Sequence, residues 1–324
     1  MAILDLFMQQ SAITDISGEV AKSREHISDE TVIQAIKMQS AIRNFASDFL
    51  RKAEYIEIPP VIISPLTDPL NHPVLDPKIR TYGGDFWLTK SMIFHKQIAV
   101  QTLKKIFIMS PNIRLELAEK QKTGRHLYEF TQIDVEALSH TREQMMSLAE
   151  DMIVSVIGRI KSDHSEGLRY FGRELPTFNR PFKQIAYLEA QREYGDDFEK
   201  TVSESSREPV WIIDIPLEAR EFYDRENDHA PGILRDMDLL WPEGYEEAIS
   251  GGEREYKLEN ILERVRRKGQ TEDQFRWFIE LARIGIEMSA GFGIGVERFA
   301  RYVCGLDRIE KVTPFPKTPG KVSL

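Results

Sequence analysis

Asn112-Ile-Arg-Leu-Glu116 and Gly124-Arg-His-Leu-Tyr-Glu-Phe-Thr-Gln-Ile-Asp-Val-Glu136 read as two strands flanking a charged loop. Arg114 and Glu116 share one face of the first run. Phe130, Gln132, Asp134 and Glu136 share one face of the second, and Ile133, Val135 and Ala137 take the other. A face carrying Gln, Asp and Glu in series is too polar to be core and too ordered to be a random surface. Taken alone it also fits the solvated side of an antiparallel sheet.

The second half of the argument lies about 160 residues downstream, in Ala290-Gly-Phe-Gly-Ile-Gly-Val-Glu-Arg-Phe299. Three glycines at spacing two mark a strand that another backbone or a flat ligand approaches closely. Val296, Phe299, Ala300 and Val303 then recur at helical spacing, so the strand feeds a buried helix that carries Glu297 and Arg298. The third glycine comes one residue too early for a GxGxxG fingerprint, and the chain holds no GxxxxGK[ST] loop.

Together the two segments resemble motifs 2 and 3 of the class II aminoacyl-tRNA synthetases, in the aspartyl/asparaginyl branch. Motif 2 covers about 106–137 and motif 3 about 288–303, followed by Pro314-Phe-Pro-Lys-Thr-Pro-Gly320. A weaker motif 1 covers about 38–60, with Met38, Ile42, Phe45 and Phe49 on one helix face before Tyr55-Ile-Glu-Ile-Pro-Pro60. The implied fold is mixed α/β (α+β), an antiparallel sheet flanked by helices, with 1–324 as one catalytic domain. Class II domains commonly dimerise through motif 1, so the resemblance implies a homodimer.

Synthetases of this branch carry an anticodon-binding barrel ahead of motif 1, for which the roughly 35 residues before the motif 1 helix are too few. Net charge is −9 and the sequence pI is about 5.5. Nucleic-acid affinity rests on Lys and Arg neutralising phosphates, so this balance argues against tRNA as a partner. The single cysteine, Cys304, excludes an internal disulfide and sits in an apolar helical run. Met1 to Gln10 lacks the basic start of a leader, and no apolar run approaches membrane length, which points to a cytoplasmic protein without a membrane partner.

The rest of the chain reads as alternating elements. Ser64-Pro-Leu-Thr-Asp-Pro-Leu70 to Pro77 suits a mobile loop over a pocket. Met145, Leu148, Met152 and Val156 mark a long helix, and Val210 to Ile215 a buried strand. The segment from Phe182 to Ser206 reads as charged and peripheral. Leu258, Ile261, Leu262 and Val265, then Phe275, Phe278, Ile279 and Ala282, mark two further helices.

The chemistry implied by the resemblance is attack of a carboxylate on the α-phosphorus of ATP, giving an acyl-adenylate and pyrophosphate. Such a reaction asks for positioning and for cations around the phosphates. By resemblance, Arg114 bridges the α-phosphate and the substrate carboxylate, Phe130 stacks on adenine and Glu116 holds its amino group. Arg125, His126 and Arg298 hold the terminal phosphates, with Arg114 and Arg298 as the catalytic pair. Each cation, taken singly, also fits a solvated surface charge. Magnesium is the implied metal, held by Glu247 and Ser250 in Glu247-Ala-Ile-Ser250-Gly-Gly-Glu-Arg254. Without a ligand, the same residues are a plain carboxylate cluster.

Leu88-Thr-Lys-Ser-Met-Ile-Phe-His-Lys-Gln97 is similar to the branch's amino-acid-binding segment. Lys96 matches a lysine on the aspartate side chain, and Arg254 the arginine that clamps its carboxylate. Asp134 is available to the ammonium, and Ser91 and Gln132 complete the substrate set. Two cations favour aspartate over asparagine. Lys90 stands where an aspartyl-tRNA synthetase has a neutral Gln, and a lysine beside an ammonium would be repelled. Aspartate is therefore expected reversed, its β-carboxylate activated and its α-carboxylate near Lys90, unless Lys90 points to solvent. Capture of that adenylate by ammonia gives asparagine, the reaction of AMP-forming asparagine synthetases related to this branch. Three alternatives stay open: an amide ligase using another amine, a truncated synthetase charging tRNA or another carrier, and a non-enzymatic paralogue.

Overall fold

Eight strands build the sheet that carries the site: β1 (Ile56–Glu57), β2 (Lys105–Ile113), β3 (Glu129–Leu138), β4 (Lys183–Ala186), β5 (Val210–Ile213), β6 (Asp236–Trp241), β7 (Glu246–Glu253) and β8 (Ser289–Gly295). They are ordered β1-β2-β3-β8-β7-β6-β5-β4. The two edge pairs, β1 with β2 and β5 with β4, are parallel, and every other pair is antiparallel. The computed structural model describes residues 15–321 and 323–324. The reading of Met1 to Gln10 as no leader lies outside the described residues.

Period-two alternation decides which face each strand buries. Ile133, Val135 and Ala137 of β3, Phe292 and Ile294 of β8, Ile249 of β7 and Met237 and Leu239 of β6 all point into one core. That core is closed by the helices α1 (Glu30–Lys52), α2 (Arg142–Asp163) and α3 (Val296–Cys304). Helix α1 starts where the Asp29 carboxylate accepts the Thr31 N–H at 2.7 Å. It buries Val32, Ala35, Met38, Ile42, Phe45 and Leu50 along one stripe and ends in Arg51 and Lys52, which suit its negative pole. Thr141 and Gln144 form a reciprocal cap at the start of α2. Cys304 is buried in this core, as its apolar setting predicts.

The opposite sheet face is only partly covered. A second cluster gathers Phe94 and Phe278 from the helices 93–103 and 276–284, Ile261 and Val265 from the helix 258–267, and Phe222 and Phe275 from the segments between, placing the last two helices where the periodicity puts them. The segment from Phe182 to Ser206 is more integral than its charge suggests. It supplies the edge strand β4 and a helix, Phe198–Ser205, whose Phe198 and Val202 pack against Ile212 and Leu240. Edge strands and capping helices need one apolar face only, so a charged composition conceals them. Among the described residues no helix is long and apolar enough to cross a membrane.

Candidate active site

Strand β2 breaks at Arg114, whose backbone N–H donates to the Tyr128 carbonyl at 2.8 Å. The Arg114 Nε donates to the Lys90 carbonyl at 3.1 Å, and the guanidinium lies 5.2 Å from the centre of the Phe130 ring. This contact fixes one edge of the guanidinium fork. Leu115–Glu116 pairs in register with Val74–Leu75, so the Pro/Asp segment is clipped onto the strand that follows Arg114. His72 of that segment sits with Nε2 3.1 Å from Glu116 Oε1, while Glu116 Oε2 is buried with no partner. Burial acts to raise the Glu116 carboxyl, but its bond to His72 and nearby positive charge leave it below the ordinary value.

The charged loop turns at Gly124, whose φ of +65° suits a residue without a side chain. Arg125 then pairs with Glu246. His126 lies 2.6 Å from the Thr123 hydroxyl and is pushed down to about 4, by burial first and then by Arg298 and Arg125. It is therefore a neutral hydrogen-bonding group at pH 7, not a cation. Arg298, from the first turn of α3, meets Glu247 at 2.9 Å. Arg298 is the main cause that draws Glu247 down to about 2, and the Glu247 side chain is 43% exposed, facing the cavity. Its neighbour in sequence, Glu297, accepts the Thr131 N–H at 3.0 and 3.1 Å, and burial raises it to about 7.

These residues enclose two cavities. The smaller, about 210 Å³, is lined by Glu116, Arg125, His126, Phe130 and Arg298. The larger, about 340 Å³, is lined by Ser91, Lys96, Asp134, Ser250 and Arg254. His72, Arg114, Gln132 and Glu247 line both, which makes Arg114 a residue of the junction. Of the sequence-derived set, all but Lys90 line one cavity or the other.

The larger cavity lies on the sheet, and its floor follows from register. Asp134 is paired with Gly293 and Gly293 with Ser250, while Glu136 is paired with Gly291 and Gly291 with Gly252. A Cβ at Gly291 would fall 2.0 Å from Glu136 Oε2 and 2.2 Å from the Val135 carbonyl. The glycine spacing is thus explained by side chains lying flat across the strand. Lys96 is buried, with Nζ 3.1 Å from Asp134 and 3.4 Å from Glu136. Arg254 meets Glu136 through Nε at 3.2 Å, Asp224 through Nη1 at 3.1 Å and the Gly291 carbonyl through Nη2 at 3.1 Å. Each of the two cations read as a clamp for a substrate carboxylate already holds two protein carboxylates.

Lys90 departs from expectation. It is buried, but its Nζ pairs with Asp76 at 2.8 Å and it lines neither cavity. The partner comes from the Pro/Asp segment fourteen residues earlier, a contact that Lys90's own surroundings in sequence do not announce. It bears on the site through its backbone carbonyl, which holds Arg114.

A bulge aims Glu247. Leu239 pairs with Ile249 but Leu240 with Glu247, so Ala248 is the extra residue. The shift puts Glu247 on the same face as Ser250 and Asp238, which are paired to each other. Sequence reasoning missed Asp238, His72, Glu199, Arg220, Asp224 and Asp236, all of which line the larger cavity. Only His72 had a signal, its place in a loop over a pocket. The others are single charged residues on ordinary strands and turns.

The profile of tRNA synthetases class II (D, K and N) matches residues 20–319. The chain belongs to this family. It is 28% identical over 300 residues to an asparagine–tRNA ligase of Thermoplasma acidophilum, covering 87% of this chain and 68% of that protein. It is 31% identical over 261 residues to one of Symbiobacterium thermophilum, covering 73% of this chain and 59% of that protein. The fold superposes on asparaginyl-tRNA synthetase from Pyrococcus horikoshii, solved with asparaginyl-adenylate, with a TM-score of 0.86 at 26% identity. That match covers 94% of this chain and 72% of the other. The class II reading of the sheet and its flanking helices therefore holds.

The expectation that tRNA is an unfavoured partner does not. The relatives are tRNA ligases, and their family spans nearly the whole described chain. Net charge sums over the entire surface, whereas nucleic-acid binding answers to a local patch, so a balance of −9 carries no exclusion.

Proposed function

We propose that this protein is an ATP-dependent ligase that activates the carboxylate of aspartate or asparagine as an acyl-adenylate. The observation that carries the reading is the position of Arg114 between two joined cavities. One offers an aromatic ring, a buried free Glu116 oxygen and the cations Arg125 and Arg298, a set suited to adenine and phosphates. The other offers buried charged groups for an amino-acid head and side chain.

In this reading, ATP lies with its base on Phe130 and its amino group on Glu116 Oε2, while Arg125 and Arg298 exchange Glu246 and Glu247 for phosphate oxygens. The substrate carboxylate attacks the α-phosphorus, pyrophosphate departs, and Arg114 stabilises the charge on the α-phosphate as the bond forms. Magnesium, when bound, supplies charge neutralisation to the phosphates. Glu247 and Ser250 would hold it, with Asp238 beside them as a further oxygen donor whose Oδ1 is buried and unpartnered.

Transfer of the acyl group to tRNA is supported by the relatives' activity. Amidation by ammonia or another amine, giving asparagine in the simplest case, is the second reading, and the acid-rich lining of the larger cavity favours it. Pyrophosphate exchange with aspartate and with asparagine tests the first step. AMP release with tRNA, with ammonium and with neither separates the acceptors. Exchange with no amino acid at all would sink the adenylate reading.

A further inference from the structure

The larger cavity runs between two walls of carboxylates. Asp134 and Glu136 stand on β3, while Asp238 and Asp236 stand on β6 in the same two registers, joined through Gly293 and Ser250 and through Gly291 and Gly252. Three strand steps separate the walls, roughly 14 Å at the usual spacing. One ammonium cannot serve both.

The β3 wall is compensated by Lys96 and by Arg254. The far wall is compensated only in part. There Asp236 and Asp224 are joined by Glu221 and by Asp68, which accepts the Tyr223 hydroxyl at 3.1 Å. The guanidiniums present, Arg220 and Arg254, are shared with Asp238 and Glu136. Asp236 is 2% exposed and its Oδ1 has no partner. A Cβ at Gly252 would fall 2.1 Å from that oxygen, so the missing side chain leaves it room. Four carboxylates sharing two guanidiniums leave buried negative charge in excess, which is costly and which a cation relieves.

We propose that this far end, between Asp68, Asp224 and Asp236, binds the ammonium group of a substrate. An ammonium brings one charge and three donors, which match carboxylate oxygens spread over floor and loop. A divalent ion needs six or more oxygens in a tight shell, and here two guanidiniums touch the same carboxylates. A substrate carboxylate finds no free cation there. The inference rests on the adenylate reading for its biological meaning, and the ammonium belongs either to the acid being activated or to a second, amine substrate.

The primary test needs no turnover. Thermal melting of the full chain is compared in ethylammonium, tetramethylammonium and sodium chloride at equal ionic strength. Ethylammonium is expected to raise the melting temperature above both controls, and Asp236→Asn and Asp224→Asn to remove the difference. Both variants lose a buried negative charge of the same shape, and Asp68→Asn on the loop serves if either fails to fold. Equal melting in the three salts, or an unchanged difference in the variants, overturns the site.

Pyrophosphate exchange then separates the sources. Exchange with aspartate at least about tenfold above succinate, which lacks the ammonium, and an advantage lost in Asp236→Asn, place the ammonium on the activated acid, a difference of about 1.4 kcal/mol. An N-ethyl amide formed from aspartate or asparagine with ethylamine places it on a second substrate. Exchange with asparagine in a protein blind to ethylammonium removes the ammonium site and keeps the adenylate. An ethylammonium response without exchange for any acid does the reverse.

Discussion

The two cavities that meet at Arg114 differ in how their charges are arranged. On the nucleotide side the cations Arg125 and Arg298 pair with Glu246 and Glu247, carboxylates open in part to solvent that a phosphate can displace. On the amino-acid side Lys96 and Arg254 are fully buried and locked among Asp134, Glu136 and Asp224. Exposed ion pairs are weak and exchangeable, whereas a buried pair cannot lose one member cheaply. The first side is built to release its cations to a ligand. The second is built to hold a shape.

Lys96→Met should sharpen that contrast most. It leaves Asp134 and Glu136 without their shared cation and is expected to cost on the order of 3–5 kcal/mol, read from urea unfolding. A loss below 1 kcal/mol, comparable to an exposed pair, would erase the distinction between the two sides.

Arg114→Ala and Arg298→Ala should lower pyrophosphate exchange by about 10²–10³-fold while the melting temperature moves little. Full exchange in either variant breaks the assignment of the nucleotide side.

A smaller effect concerns acid. Glu247 lies at about 2 in the fold, below its ordinary 4.5, so its pairing with Arg298 contributes stability that is present above 4.5 and lost as pH falls towards 2. Glu247→Gln is expected to flatten the stability profile across that window, and Arg298→Ala to bring the Glu247 titration, followed by NMR, back towards its ordinary range. An unmoved Glu247 in the Arg298 variant would mean that another group sets its charge.

The smallest effect is expected at Lys90. Because its ammonium is spent on Asp76, outside both cavities, Lys90→Gln should change the KM for aspartate or asparagine by less than about threefold. A tenfold rise would restore Lys90 to the amino-acid side.

Legibility followed the same divide. Arg114, Glu116, Phe130 and Arg298 stand on a strand pair and a helix start whose periods are legible, and the resemblance to the class II motifs joins the two halves. Lys96 and Arg254 were found as residues, but their partners were not. Glu136 reaches Arg254 across 118 positions of sequence and Asp224 across 30. The correction on tRNA has a similar root, since a net charge has no direction and a surface has one.

What the sequence determined by itself was the individual strands and helices, the hairpin around Arg114 and the glycine strand, each written in a local period of two or 3.6 residues, while the resemblance to the class II motifs implied the sheet that joins them. The tertiary structure alone decided that Lys90 turns to Asp76, that His72 closes on Glu116 and that Ala248 bulges to aim Glu247. It alone set a second wall of carboxylates opposite the first. Side-chain direction and ion pairing depend on which distant segment arrives beside a residue, and no local period carries that information.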